Sequence, residues 1–253
     1  MKRYYFEIEY LGSGFAGWQV QKDSNLATVQ GELEKAFSLV MQERIKVTGA
    51  GRTDAGVHAL GQAAHCDLPA KVGDLKKLEL SINAVADKKL CIRNLQEVDG
   101  EFHARYNASS RYYTYRIYSE PTAIYKGLGW EARGSLDFAK MAQEARSFVG
   151  SHDFEDFCVP RNDGKSTKGT ISRFELEYSS EPGLGAVFHI QGNRFLHKQI
   201  RAMVGLLYDV GRKRYGSGAV NQVFEKKFKG ERTWAPPQGL CLQKVYYPQL
   251  ELK

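Results

Sequence analysis

The chain has 253 residues, of which 42% are hydrophobic, so it can bury the core of one large domain or of two ordinary ones. Its 36 Lys and Arg exceed its 29 Asp and Glu, and the formal charge of +7 favours a polyanionic partner. No apolar run approaches membrane-spanning length, and Glu7 and Glu9 interrupt the first apolar segment, which excludes a secretion signal. We therefore expect a cytoplasmic protein that does not enter a membrane.

The spacing of cysteine and histidine gives no indication of a bound metal. The four cysteines lie far apart and form no C-x-x-C pair: Cys66, Cys91, Cys158 and Cys241. His58 and His65 lie close to Cys66 in sequence, but no fourth ligand falls at a usual spacing. We expect reduced, mostly buried thiols and no metal site.

The first half of the chain is predicted to alternate between strands and helices. Residues 3–11 form a strand of period two, with Tyr4, Phe6, Ile8 and Tyr10 on one side and Tyr5, Glu7 and Glu9 on the other. An apolar stripe from Val29 to Val40 predicts a helix with Thr28 as its N-cap. Further elements are predicted as strands over 45–50, 61–68 and 90–98 and a helix over 75–86. This order is typical of an α+β sandwich.

The second half repeats the theme without a visible sequence repeat. Strands are predicted over 112–118, 170–178, 186–192 and 240–247, and an apolar stripe from Phe138 to Val149 predicts a helix. A long helix is predicted from Leu196 to Val210, which would place His197 and Arg201 on one face. We place the domain boundary between residues 104 and 105, giving domains 1–104 and 105–253.

A glycine-rich loop over residues 49–58 is the strongest candidate site. Glycine permits close approach of a ligand to bare backbone, and this loop holds Arg52 and Asp54 between three glycines. The flanking strands place Asp54 at a strand end beside a turn, where it could reach a cleft. The alternative is a surface turn in which Arg52 and Asp54 pair with each other.

Residues 51–58 resemble the signature of the tRNA pseudouridine synthase A family. The resemblance recurs in order along the chain, over residues 15–21, 28–36, 102–105, 113–115, 195–205 and 239–240. It implies an α+β fold of two ferredoxin-like (RRM-like) α/β-sandwich domains, with joined antiparallel sheets and an active-site cleft between them. Three departures from the family pattern are Leu11, in place of an aspartate, Gln199-Ile200, in place of Met-Val, and Gly169, in place of an arginine.

The resemblance also implies an activity, the isomerisation of uridine to pseudouridine at positions 38, 39 and 40 of the tRNA anticodon stem-loop by a homodimer. That reaction needs no cofactor, and the sequence has no P-loop or dinucleotide fingerprint. The catalytic set implied is Asp54 as nucleophile, Arg201 as its ion-pair partner and Tyr113 against the target uracil, with Arg52 assisting base flipping. Lys198 and His58 are further candidate substrate contacts.

The sequence leaves the chemical role of Asp54 open, because a carboxylate can attack C1′ of the ribose or remove a proton from C2′. Two other classes of function compete with the synthase. A non-catalytic RNA-binding or tRNA-folding module would have no need of an acidic side chain facing phosphates. A hydrolase using Asp54 as a base would need a second carboxylate or a histidine relay, and none stands at a recognisable spacing.

Overall fold

The computed structural model describes residues 1–21, 26–69, 72–132, 134–160, 164–179, 185–248 and 250. The chain divides into two compact units. Unit 1 comprises Met1–Ser109 and Cys241–Lys253, and unit 2 comprises Ser110–Leu240. Within the described ranges, no helix is both long enough and apolar enough to cross a membrane.

Unit 1 is a sheet of mainly antiparallel strands with two helices. Its elements are β1 (Lys2–Tyr10), α1 (Val29–Met41), β2 (Val47–Gly49), β3 (His58–Leu68), α2 (Leu75–Val85) and β4 (Leu90–Val98). Strand β1 lies between β3 and β4 and is antiparallel to both. Strand β2 pairs with the distal end of β3, where Val47 is opposite Cys66. The candidate loop therefore connects two strands that pair with each other.

Aromatic residues pack on both faces of β1. On one face, the ring of Phe6 lies 5.0 Å from that of Phe37 of α1, measured between centroids. On the other, Tyr5 contacts Phe102 and Tyr247, each at 5.8 Å. Tyr5 is therefore buried as well, since the segment after β4 and Tyr247 cover this second face.

Unit 2 has the same class of architecture. Its elements are β5 (Ser110–Tyr118), β6 (Trp130–Glu131), α3 (Phe138–Ala145), β7 (Gly150–Asp153), β8 (Lys168–Tyr178), β9 (Ala186–Gly192), α4 (Gln199–Gly211) and α5 (Ala219–Phe224). Strands β5, β9, β8 and β7 pair in that order and are antiparallel, while β6 runs parallel to β5. Its core includes Phe148, which stacks on Phe174 with ring centroids 5.0 Å apart.

The last strand, β10 (Leu240–Tyr246), belongs mainly to unit 1. It pairs in parallel with the first residues of β3, where Cys241 is opposite His58 and Leu242 is opposite Ala59. The hydroxyl of Tyr247 then donates to the carbonyl of Ala104 at 2.6 Å. The compact units thus differ from the predicted domains, because these contacts return the C-terminal residues to unit 1.

The predicted class, α+β with antiparallel sheets, is confirmed. One local prediction is wrong: α4 begins at Gln199, so Leu196 and His197 precede the helix. The reason is that Lys198 has a left-handed backbone, with φ of 61°. His197 is therefore not on a helical face with Arg201, and its carbonyl accepts a hydrogen bond from the N–H of Val159 at 3.1 Å.

Candidate active site

The loop between β2 and β3 is fixed to its surroundings by backbone hydrogen bonds. The N–H of Ala50 donates to Ala63 at 2.8 Å, and the N–H of Trp18 donates to the carbonyl of Thr53 at 3.1 Å. The N–H of Val57 closes a turn on the carbonyl of Asp54 at 3.1 Å. The prediction that Asp54 lies beside a turn is confirmed, and its position is set by the main-chain contacts of Thr53 and of Asp54 itself.

Thr53 anchors the loop in the interior of unit 1. It is buried, and its hydroxyl lies 2.8 Å from that of Tyr10 in a hydrogen bond. Gly17 lies against the same residue with φ of 94°, and a β-carbon there would be 2.9 Å from the Thr53 carbonyl oxygen. Gly17 and Trp18 therefore both pack directly against the backbone that presents Asp54, which explains why a glycine occupies position 17.

His58 follows the loop as the first residue of β3. Its side chain is buried, and its Nδ1 accepts a hydrogen bond from the N–H of Gly12 at 3.1 Å. Gly12 is closely packed, since a β-carbon there would lie 2.0 Å from the carbonyl oxygen of Val57. These contacts give His58 a structural role in unit 1.

The two charged residues of the loop differ in exposure. Asp54 is half-buried and Arg52 is exposed. The Arg52 Nε donates to Gln19 at 3.1 Å, Gln19 in turn donates to Gln30 at 2.5 Å, and Gln30 donates to the carbonyl of Val47 at 3.0 Å. Two amide side chains, of which Gln30 belongs to α1, therefore orient the guanidinium, and this relay could not have been deduced from the sequence.

A groove of about 290 Å³ lies beside the loop in unit 1. Gly51 and Arg52 form one part of its wall, and His103, Arg105 and Tyr106 form another. Trp18 also lines it, and a β-carbon at Gly49 would lie 2.4 Å from the indole ring of that residue. The groove thus joins the candidate catalytic loop to two arginines and three aromatic or imidazole rings.

In unit 2, Tyr113 lies on β5 two residues before Tyr115, so the two side chains share a face of the strand, and both are buried. The Tyr113 ring meets that of Phe195 edge to face, with centroids 5.3 Å apart. The Tyr115 hydroxyl donates to the carbonyl of Pro236 at 2.8 Å, and burial raises the pKa of this phenol well above its ordinary value. Tyr115 is therefore a core residue.

Arg201 is in the first turn of α4 and is half-buried. Its Nε donates to the carbonyl of Ala235 at 2.8 Å, and the N–H of Ala235 donates to the Arg201 carbonyl at 3.1 Å. Lys198 precedes the helix, with its Nζ 6.0 Å from the ring centroid of Trp234. The residues at the start of α4 are thus positioned by the segment that precedes β10.

Asp209 was not predicted to be important, although it is an aspartate in the apolar stripe of α4. It is completely buried and accepts hydrogen bonds from the N–H and the hydroxyl of Thr233, both at 2.8 Å. Arg212 Nε lies 3.2 Å from the same carboxylate. An acidic residue in an apolar stripe is the sequence signal that could have identified this anchor.

The described residues contain no group of three or more His, Cys, Asp or Glu side chains arranged to hold a metal ion. The four cysteines are free thiols, of which Cys66 and Cys158 are buried. Burial raises the pKa of the Cys66 thiol, so this group stays protonated at neutral pH.

A comparison with known families identifies the class of protein. The sequence model of the tRNA pseudouridine synthase family matches residues 8–107 and 145–248, which span most of both units. The chain therefore belongs to the tRNA pseudouridine synthase family, and it is an isomerase.

Individual relatives match over almost the whole chain. A tRNA pseudouridine synthase A from Neorickettsia sennetsu is 37% identical, covering 97% of this chain and 100% of the relative. Proteins of the same name from Maridesulfovibrio salexigens and Exiguobacterium sibiricum are 36% and 35% identical, each over 98% of this chain, with 91% and 98% of the relative covered. The resemblance found in the sequence motifs is confirmed by these full-length matches.

Proposed function

We propose that the protein converts uridine to pseudouridine at positions 38, 39 and 40 of the tRNA anticodon stem-loop, with Asp54 as the nucleophile. In this reaction the bond from uracil N1 to ribose C1′ breaks, the uracil rotates, and a bond from C5 to C1′ forms. N1 gains a proton and C5 loses one, so no redox partner is consumed. Attack of the Asp54 carboxylate on C1′ would hold the sugar while the base rotates.

The observation that supports this proposal best is the fixed presentation of Asp54. The carbonyl of Thr53 is held by Trp18, the Thr53 hydroxyl is held by Tyr10, and the carbonyl of Asp54 closes a turn with Val57. A nucleophile held in this way loses little conformational entropy in reaching a near-attack geometry. Half-burial keeps the carboxylate accessible to a flipped nucleotide.

Other residues receive roles by resemblance to the family. Tyr113 is proposed to lie against the target uracil, and Arg52 is proposed to assist base flipping from the wall of the groove. Arg201 is proposed as the cationic partner of the catalytic carboxylate, a role that rests on the resemblance alone. Lys198 is proposed as a phosphate contact, because its ammonium group lies at the start of α4.

A tRNA substrate suits the charge of the chain. The net charge of +7 favours a polyphosphate, and two arginines, Arg52 and Arg105, line the groove in unit 1. By resemblance, we propose that the protein acts as a homodimer on tRNA in the cytoplasm. Sedimentation of the purified protein at several concentrations tests the dimer, and a monomer at micromolar concentration would contradict it.

The experiment that tests the activity is tritium release from tRNA labelled at uracil C5, since this hydrogen is lost when the C5–C1′ bond forms. Wild type should release tritium from transcripts with uridine at positions 38–40. Asp54→Asn should bind the same tRNA and release none. Asp87→Asn is a matched control in the same unit, because its side chain accepts the N–H of Lys89 and the amide oxygen can still accept that bond.

Two results would overturn the proposal. Normal turnover by Asp54→Asn would remove Asp54 from the mechanism. Salt-sensitive tRNA binding by wild type without tritium release from any transcript would favour a non-catalytic RNA-binding module.

A further inference from the structure

Tyr106 is an exposed aromatic residue on the wall of the groove. It is 76% exposed, unlike most large aromatic side chains of unit 1. Its ring lies against His103, with centroids 4.3 Å apart and an angle of 36° between the planes. An exposed aromatic ring that contacts a second ring on one side still has surface available to contact a third ring.

The segment that presents Tyr106 is held in one conformation by hydrogen bonds to His103. The Nδ1 of His103 accepts from the N–H of Arg105 at 3.1 Å and more weakly from that of Tyr106 at 3.4 Å. The main chain of His103 exchanges two hydrogen bonds with Asn107, from its N–H to Asn107 Oδ1 at 2.5 Å and from the Asn107 N–H to its carbonyl at 3.0 Å. The Tyr106 ring is therefore presented on a closed turn.

The imidazole of His103 can accept hydrogen bonds from the backbone of this turn when it is neutral. Burial, and then the charge of Arg3, lower the pKa of His103. A neutral ring keeps Nδ1 as an acceptor for the two N–H groups at physiological pH. The ring of His65 supports it from the interior, with centroids 4.9 Å apart. Three rings thus lie in series from the core to the groove.

The groove connects this surface to the candidate catalytic loop. Tyr106 and Arg105 line it together with Gly51 and Arg52, and Asp54 lies two residues beyond Arg52. An RNA strand that delivers one nucleotide to Asp54 would therefore pass its neighbouring nucleotides along this wall. The Arg105 guanidinium lies 5.9 Å from the Tyr106 ring centroid, so a cation accompanies the aromatic face.

We propose that Tyr106 is a stacking site for an unpaired nucleobase adjacent to the target uridine, with Arg105 beside it to contact the RNA backbone. The proposal rests on the proposed function for the identity of the RNA. Aromatic faces bind unstacked bases of any sequence, because every base has a π-face, and a neighbouring arginine adds attraction to phosphate. Tyr106 would thereby position the strand and would take no part in bond making or breaking.

The test uses anticodon stem-loop RNA with 2-aminopurine placed in turn at each unpaired position. Binding to the wild-type protein should quench the fluorescence at one position next to the target uridine. Tyr106→Ala should lose this quenching and bind about tenfold more weakly, as expected for the loss of one base–aromatic stack. Tyr106→Phe and Tyr106→Trp should retain both, because stacking needs the ring and not the hydroxyl. Tritium release at saturating RNA should stay within about twofold of wild type.

Tyr125→Ala is the matched control, since Tyr125 is also exposed and stacks on an aromatic neighbour, Tyr118, but does not line the groove. It should bind RNA as wild type does. Unchanged affinity and quenching in Tyr106→Ala would overturn the proposal, as would a fall in turnover at saturation with unchanged affinity. If wild type bound RNA with quenching that required Tyr106 but released no tritium, the proposed activity would fail and the stacking site would stand.

Discussion

The carboxylate of Asp209, completely buried in α4, accepts hydrogen bonds from both the N–H and the hydroxyl of Thr233, each at 2.8 Å. Gly205, one turn earlier in the helix, allows this approach, because a β-carbon there would lie 1.7 Å from the Thr233 carbonyl oxygen. Two residues after Thr233, Ala235 exchanges hydrogen bonds with Arg201. A buried charge thus fixes the segment that in turn positions the arginine of the proposed site.

Removal of the buried carboxylate should destabilise unit 2. Asp209→Ala leaves the donors of Thr233 and the guanidinium of Arg212 without this acceptor, and we expect a loss of about 3–5 kcal/mol in the free energy of unfolding. Asp209→Asn keeps one acceptor oxygen and should lose less. Chemical denaturation monitored by circular dichroism measures both. Equal stability of Asp209→Ala and wild type would contradict the anchoring role.

Substitution of Arg201 should affect turnover more than binding. Arg201→Ala removes the hydrogen bond to Ala235 and the guanidinium proposed to orient the catalytic carboxylate, and we expect kcat to fall roughly 100-fold. The Kd for tRNA should change by less than about threefold. Arg116→Ala, an exposed arginine of the same unit, should leave both near wild type. Parallel losses of kcat and affinity in Arg201→Ala would instead indicate a phosphate contact.

A side chain at Gly17 should distort the candidate catalytic loop. Gly17→Ala forces an L-residue into φ of 94° and places a methyl group 2.9 Å from the Thr53 carbonyl oxygen. We expect a loss of about 1–3 kcal/mol in stability and a lower kcat, because the backbone that presents Asp54 must move. In Gly51→Ala the new methyl group meets nothing within 4 Å, so thermal unfolding should stay near wild type. Identical melting of the two variants would contradict this account.

His65 should make the stability of unit 1 depend on pH. Burial, and next the charge of Arg3, lower the pKa of His65 from 6.5 to about 4, and its Nδ1 accepts the N–H of Ala104 at 3.2 Å. The unfolded chain therefore binds a proton at higher pH than the folded one, so stability should fall as the pH drops from 6.5 towards 4. Denaturation at stepped pH measures this slope.

The control for that slope is His65→Gln, whose amide does not titrate and whose oxygen can accept the same N–H. Its stability should vary less with pH over the interval between 6.5 and 4. Asp67 affects stability over a different pH range. Its hydrogen bond with Arg3 lowers the pKa of the carboxyl from 3.8, so this contribution to stability is lost only in stronger acid. An unchanged slope in His65→Gln would assign the effect to another group.

Local sequence patterns predicted the regular elements well. Thr28 caps α1 as expected, since its hydroxyl accepts the N–H of Gly31 at 3.2 Å, and β9 has the predicted bounds. These features depend on neighbouring residues, which a sequence window contains. The burial of Tyr5 was not predicted, because it depends on Phe102 and Tyr247, which are remote in sequence. The short elements β6, β7 and α5 were missed for lack of a long periodic pattern.

The candidate site was only partly predictable for the same reason. The loop of Arg52 and Asp54 was evident from its glycines and charges, and its place beside a turn followed from the flanking strands. The relay from Gln19 to Gln30 and the support of Thr53 by Tyr10 join residues that are distant along the chain. Nothing in the spacing of these polar residues distinguishes a hydrogen-bonded partner from a solvated side chain.

The return of β10 to unit 1 has a consequence for biosynthesis. Residues 58–59, which directly follow the Asp54 loop, pair with residues 241–242. The ribosome therefore synthesises the whole of unit 2 before it synthesises the strand that pairs with the first residues of β3. The loop acquires this support only after the whole of unit 2 has been translated, so a nascent chain that stalls before residue 241 cannot complete the framework around its acidic residue.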